Sequence, residues 1–238
     1  MENSIIGQKI NQSLHEIYLG RVKAFLLEAS DGSLVLLDTG MPNSQATIIK
    51  YLNTIGKSVS DIKYILLTHS HIDHFGSASE LKKLSNAMVG INEKGIKYVD
   101  GSSGIKLPVV DKKGLGMRFL LSLMKLTLHI RKPKFFKPDM VLKEGVFPEQ
   151  IHINAKILET PGHTEDSISI YLPDSKTVIV GDLLFGKPDK LVLPTFYDDY
   201  IALLNSIKRI KDLEPDLICV SHGKNHNVSD ISESNNTN

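Results

Sequence analysis

Thr68-His69-Ser70-His71-Ile72-Asp73-His74-Phe75-Gly76 places three histidines and one aspartate within six consecutive positions, directly after the apolar run Tyr64-Ile65-Leu66-Leu67. In an extended or tightly turning segment, residues two apart point the same way, so His69 and His71 can converge on one ion. A turn at Ile72 then lets Asp73 and His74 reach a second centre beside the first. Imidazole and carboxylate suit zinc, and also manganese or iron, and the cluster has no thiolate of the kind that marks closed structural zinc sites. A solvated polar turn after a strand is the plainer reading, and the density of ligands outweighs it.

Upstream of the cluster, residues 22–29 and 33–37 are apolar and β-branched around Asp31-Gly32, a dipeptide that favours a hairpin turn. The first half therefore reads as a meander. Its second strand ends in Asp38-Thr39-Gly40, where Asp38 is read as a support for the ligands rather than a turn former. Asn43 or Ser44 can cap a helix through Ile48, Ile49, Tyr51 and Leu52 that ends at Gly56. Residues 77–84 read as a short helix with Leu81 and Leu84 at i, i+3 and its positive N-terminus beside the cluster.

Downstream, residues 153–159 read as a strand feeding Thr160-Pro161-Gly162-His163-Thr164, where Pro-Gly turns the chain and exposes a histidine. Residues 167–172 and 176–180 form a hairpin around Pro173-Asp174-Ser175, and its second strand ends in Gly181-Asp182. Ile201, Leu204, Ile207 and Ile210 have the spacing of a helical apolar face, with Asp198 or Asp199 as cap. The last strand, residues 217–220, contains Cys219 as a buried side chain and runs into Ser221-His222-Gly223. His15, His129, His152 and His226 lie outside these motifs and read as surface or packing residues.

No linker divides the 238 residues, so one domain over 1–238 is the simplest organisation. The formal net charge of +1 gives no reason to expect nucleic acid as partner. Residues 104–138 depart from the rest, carrying +8 against −7 elsewhere, and residues 119–130 within them read as a helix apolar on nearly every side. Such an insertion could pack on the domain or form a homodimer contact. It could also act as a lid offering an apolar wall and a basic rim to a small-molecule substrate, or touch acidic lipid. Met1 to Gly20 lacks a secretory pattern, and no apolar stretch reaches the ~20 residues of a transmembrane segment, so a cytoplasmic protein is expected. A single cysteine rules out an intramolecular disulfide framework.

Asp38, the His69–His74 cluster, His163, Asp182 and His222 thus share one placement, the C-terminal end of an apolar strand, where scaffolds carry sites. THSHIDHFGS, followed in order by PGHT, GD and SHG, resembles the metallo-β-lactamase-fold hydrolase superfamily over roughly residues 22–223. The resemblance implies a four-layer αβ/βα sandwich with a two-metal site between its sheets. Carried over position by position, His69, His71 and His163 would hold one metal ion. Asp73, His74 and His222 would hold the other, Asp182 would bridge both, and Asp38 would support the shell. Two such cations ~3.5–4 Å apart can share a hydroxide nucleophile at neutral pH, with Asp73 orienting it or taking its proton.

The departures from family patterns shape the expected substrate. The resemblance implies that β-lactamases proper are exported and lack an aspartate like Asp182, so a β-lactam is not expected. Glyoxalase II enzymes append a helical glutathione-binding domain, for which no segment follows His222 here. Acyl-homoserine lactonases carry a tyrosine three residues after the bridging aspartate, where this chain has Phe185, and Phe75-Gly76-Ser77 replaces a common double glycine. The expectation is a binuclear hydrolase, zinc first among its metals, acting on a small ester, lactone or thioester. Two other classes stay open: a mononuclear iron, persulfide-dioxygenase type of oxidoreductase, and a non-catalytic or nucleic-acid-binding member of the fold. The basic segment motivates the last, but it has few aromatic residues for a stacking platform.

Overall fold

A computed structural model describes residues 5–107, 132–145, 147–148 and 150–232. Residues 108–131 lie outside the described residues, and with them His129 and most of the expected basic insertion, including its apolar helix and its readings as lid, homodimer contact or lipid-facing surface.

The chain opens as the predicted meander, but the meander stops at the fourth strand instead of filling the first half of the chain. Strands β1 (Gly7–Lys9), β2 (Leu14–Tyr18), β3 (Lys23–Glu28) and β4 (Leu34–Leu37) pair antiparallel in sequence. The next three, β5 (Ile62–Leu66), β6 (Met88–Asn92) and β7 (Met140–Leu142), add in parallel. Parallel neighbours need crossovers, and α1 (Gln45–Thr54) and α3 (Ala78–Ser85) supply them. Between them lies the one-turn α2 (Ile72–Phe75), and α4 (Ile96–Val99) follows β6. The second sheet has the order β13-β10-β9-β8, from β8 (Lys156–Glu159), β9 (Ile168–Leu172), β10 (Thr177–Ile179) and β13 (Leu217–Cys219). A small ribbon pairs β11 (Phe185–Gly186) with β12 (Leu191–Val192), and α5 (Tyr200–Lys211) precedes β13.

Alternation along the strands sorts the apolar residues into three layers. On β4, Leu34 and Leu36 join Ile48, Leu52 and Leu81 on the helix side, while Val35 and Leu37 face Ile168, Ile170, Ile179 and Cys219 of the other sheet. On the far side of that sheet, Val178, Val180, Ile218 and Val220 pack against Leu203, Ile207 and Ile210 of α5. Helices, sheet, sheet and helix therefore stack as four layers, the αβ/βα sandwich expected from the motifs.

The strand directions place the site. β4 and β5 run parallel as neighbours, as do β10 and β13; β8 is antiparallel to β9, which is antiparallel to β10, so β8 runs with β10. Ile168 N donates to Thr68 O at 2.9 Å and Lys23 N to Ser221 O at 2.8 Å, which ties the two sheets together beside these strand ends.

Two helical faces differ from the sequence reading. α5 buries Leu203, Ile207 and Ile210 through an i, i+4, i+7 spacing, whereas Ile201 and Leu204 are exposed. On α3, Leu81 is buried and Leu84 exposed. Spacing alone left two overlapping apolar stripes on α5, and close packing selected one: Gly162 meets the α5 backbone so tightly that a Cβ there would lie 2.3 Å from Leu203 Cα. Ser44 occupies the cap position of α1 without a side-chain bond, while Asp199 Oδ1 accepts from Ala202 N at 3.0 Å and caps α5. Cys219 is buried, as expected, and burial pushes its thiol up to about 12. Leu203→Ala is expected to cost about 2–5 kcal/mol in chemical denaturation. Leu204→Ala should cost about 0.5 kcal/mol or less, and equal effects would contradict this assignment of the buried face.

Candidate metal centre

All seven predicted ligands come together. The mutually close donor groups are His69, His71 and His163; His69, His74 and Asp182; and Asp73, His74 and His222, with the donor atoms of each group within 4.8 Å of one another. The segment after β5 delivers the first four side chains. After His71 the chain turns into α2, so His69 and His71 leave an extended segment while Asp73 and His74 leave a helical turn. His163, Asp182 and His222 arrive from the loops after β8, β10 and β13.

His71 Nδ1 lies 3.1 Å from His69 Nε2 and 3.0 Å from His163 Nε2. The partners of the opposite ring nitrogens settle what those Nε2 atoms carry. His163 Nδ1 faces Phe196 O at 2.7 Å, and a carbonyl only accepts, so Nδ1 holds the proton. Thr68 Oγ1 donates to Asp38 Oδ2 at 2.8 Å and so accepts from His69 Nδ1 at 3.0 Å. Both Nε2 atoms therefore aim lone pairs at His71. His71 Nδ1 has at most one proton to share between these two lone pairs, whereas a cation among the three nitrogens would satisfy all of them.

On the other side, His74 Nδ1 donates to Asp38 Oδ2 at 2.8 Å and His222 Nδ1 to Arg21 O at 2.8 Å, again turning Nε2 inward. His74 Nε2 is 3.4 Å from Asp182 Oδ1, yet both atoms are buried without an aligned hydrogen bond among the described residues. Asp182 Oδ2 lies 3.5 Å from His163 Nε2 and 3.3 Å from His222 Nε2, so one carboxylate reaches both halves of the cluster. Asp73 Oδ2 is 3.4 Å from His222 Nε2, and the Asp73 side chain is 32% exposed, which makes this the open face. Orphaned buried donors and an all-imidazole and carboxylate set fit divalent metal ions.

Asp38 is the principal support. Its oxygens accept from Thr68 N at 2.8 Å, from Thr68 Oγ1 and from His74 Nδ1, and its backbone holds φ 62, a left-handed conformation that Asp tolerates. Next to it, Thr39 N and Oγ1 donate to His74 O at 2.7 and 2.8 Å, fixing α2 from beneath. Asp38 was legible in the sequence. The carbonyls of Arg21 and Phe196 were not, because backbone acceptors leave no side-chain signature. Of the histidines outside the motifs, His15 bonds Tyr51 OH at 2.8 Å, His226 bonds Lys187 O at 2.7 Å, and His152 is exposed.

Charge divides along the same line. Burial keeps His69, His71 and His163 neutral, pushing His71 down to about 3. Burial also opposes charge on His74 and His222, but Asp182 overrides it, aided by Asp38 and Asp73 at His74 and by Asp73 at His222. His74 is raised well above its ordinary range, and His222 to about 10. Asp182 in turn is held well below the carboxylate range, against its burial, by His74 and His222.

The profile described as the Metallo-beta-lactamase superfamily matches residues 17–222. The chain belongs to the metallo-beta-lactamase superfamily. Among superfamily relatives, it is 25% identical to "Probable metallo-hydrolase YflN" of Bacillus subtilis, over 87% of this chain and 81% of that protein. It is 28% identical to hydroxyacylglutathione hydrolase GloC of Haemophilus influenzae, over 74% of this chain and 75% of the relative. The solved structure of TTHA1623 in a di-iron-bound form aligns with a TM-score of 0.65 at 26% identity, covering 90% of this chain and 94% of that one. These similarities support a hydrolase in general, and the His/Asp clusters suggest divalent metal binding. No helix among the described residues is long and apolar enough to cross a membrane.

Two outcomes follow from this geometry. Asp38→Asn keeps a residue that accepts φ 62 but offers one acceptor oxygen where three donors need partners, so metal affinity measured by chelator competition should fall about 10–100-fold. In metal-free protein at pH 7 the raised His74 and His222 hold protons that a metal must displace. Calorimetric titration in buffers of different ionisation enthalpy should therefore register proton release, with apparent affinity rising as pH increases. Binding without proton release would contradict that charge assignment.

Proposed function

We propose that the chain is a binuclear-metal hydrolase of small esters, lactones or thioesters, with zinc as its metal. In this reading His69, His71 and His163 hold one ion, Asp73, His74 and His222 the other, and Asp182 lies between them. The observation that carries it is the reach of Asp182 to His74, His163 and His222 at 3.3–3.5 Å, one carboxylate shared by two groups of imidazoles. Bound there, two divalent ions would supply a water of lowered pKa as nucleophile and a Lewis acid for the substrate carbonyl.

The chain's own residues do the rest. Asp73 is the group on the open face able to orient the nucleophile or accept its proton. In the metal-free protein burial alone would raise its carboxyl, but His74 and His222 beside it hold it at about 2, so it stands ionised at neutral pH. The ring of Phe185 lies 4.9 Å from that of His222 and forms an apolar wall next to the centre, with no phenol to donate to substrate. An acyl substrate also agrees with the relative named for hydrolysing hydroxyacylglutathione.

The test is an activity screen of metal-replete protein across lactones, thioesters, phosphoesters and β-lactams, together with metal analysis. Hydrolysis of an ester, lactone or thioester is expected, with His71→Ala lowering it more than about 100-fold, beyond what loss of a supporting residue costs. Fewer than about one metal per chain on analysis, with hydrolysis untouched by His71→Ala, would sink the reading. Iron on analysis, with consumption of dissolved oxygen when a persulfide is supplied as substrate, would replace it by redox chemistry.

A further inference from the structure

Behind His163 lies a second cluster of charge that the proposed hydrolysis does not use. The Lys106 side chain is 8% exposed, and its Nζ ion-pairs with Asp198 Oδ2 at 2.7 Å. The same ammonium is 3.9 Å from Asp166 Oδ1 and 5.0 Å from the centre of the Tyr98 ring. Asp166 is fully buried, and although the Ser70 and Thr164 side chains face it, neither of its oxygens has an aligned hydrogen bond among the described residues. The fold makes room for it, since a Cβ on Gly95 would lie 2.4 Å from Asp166 Oδ2. Burial pushes this carboxyl up, and Thr164, the Lys106 ammonium and Ser70 act against that push.

This cluster is fastened to His163. Asp198 N donates to Gly162 O at 2.8 Å and to His163 O at 3.1 Å, and Asp199 N donates to Gly162 O at 3.0 Å. Two residues earlier, Phe196 O receives the ring proton of His163 at 2.7 Å. Residues 196–199 thus form a strap that grips His163 by backbone and ring, and the Asp198 side chain pins that strap to Lys106. The 160–167 turn on the other side of His163 is pinned through Asp166 to the same ammonium.

We propose that Lys106 is a positioning residue of the metal centre, holding through Asp198 the strap that fixes the His163 ring and through Asp166 the turn that carries it. Its consequence for metal binding rests on the two-metal reading above; its geometry does not. Partners that orient a ligating histidine are worth about 10–100-fold in metal affinity, and Lys106, acting one step further out, belongs at the lower end.

The test uses the full chain labelled with 15N-histidine. Long-range 1H–15N correlation on the metal-free protein reads the His163 tautomer and the solvent exchange of its Nδ1 proton. The unaltered protein should show a protected Nδ1–H. Lys106→Met and Asp198→Asn should each lose that protection and weaken zinc binding about tenfold in chelator competition. Lys57→Met, which breaks the partly exposed 2.7 Å ion pair with Glu28, should change neither reading. If Lys106→Met does not fold, Asp198→Asn carries the test. An unchanged His163 signal in either folded variant overturns the proposal. Loss of protection in a protein that binds no zinc would leave the positioning role standing and remove the two-metal reading instead.

Discussion

Burial of the apolar layer between the two sheets is the interaction on which the candidate metal centre depends. Leu37 and Leu66, the last residues of β4 and β5, lie in the same cluster as Ile179 and Cys219, the last residues of β10 and β13. Pressing these side chains together brings the loops that follow them to one edge, and every candidate ligand lies in those loops or in the one after β8. Each imidazole or carboxylate would be free to avoid its neighbours if the sheets could slide. Close packing forbids the slide, so the convergence of polar groups is sustained by apolar contact some distance away.

Within that frame, acceptors behind the rings set the chemistry in front of them. Phe196 O, Arg21 O, Asp38 and Thr68 each accept a hydrogen bond from the Nδ1–H of a histidine and leave Nε2 facing inward. The two halves of the centre differ in their charge: three neutral imidazoles on one side, and two cationic imidazoles neutralised by carboxylates on the other. Protons on His74 and His222 offset Asp73 and Asp182, and a metal taking their place would couple its binding to pH.

Much of the architecture was legible because its signals are local. Apolar runs ending in Asp38, His69, His163, Asp182 and His222 identify strands and their ends without reference to anything distant. The meander and the hairpin around Pro173-Asp174-Ser175 were readable for the same reason. Misreadings arose where two local solutions were equally good. On α5, residues 201, 204, 207 and 210 and residues 203, 207 and 210 both satisfy helical spacing, and contact with Gly162 and the second sheet chose the latter. For Lys106, within the basic stretch 104–138, composition left packing on the domain and a basic rim to substrate both open, and the fold turns it inward to Asp198 and Asp166.

The sequence by itself determined which donors exist and at which strand ends they stand, because ligand type and strand pattern are written in consecutive residues. Only the tertiary structure decided which donors share an ion, which ring nitrogen each histidine presents, and which buried charge lies behind them. Those properties depend on carbonyls and counter-ions brought from as far as Arg21 is from His222, and on packing forces that no local window contains.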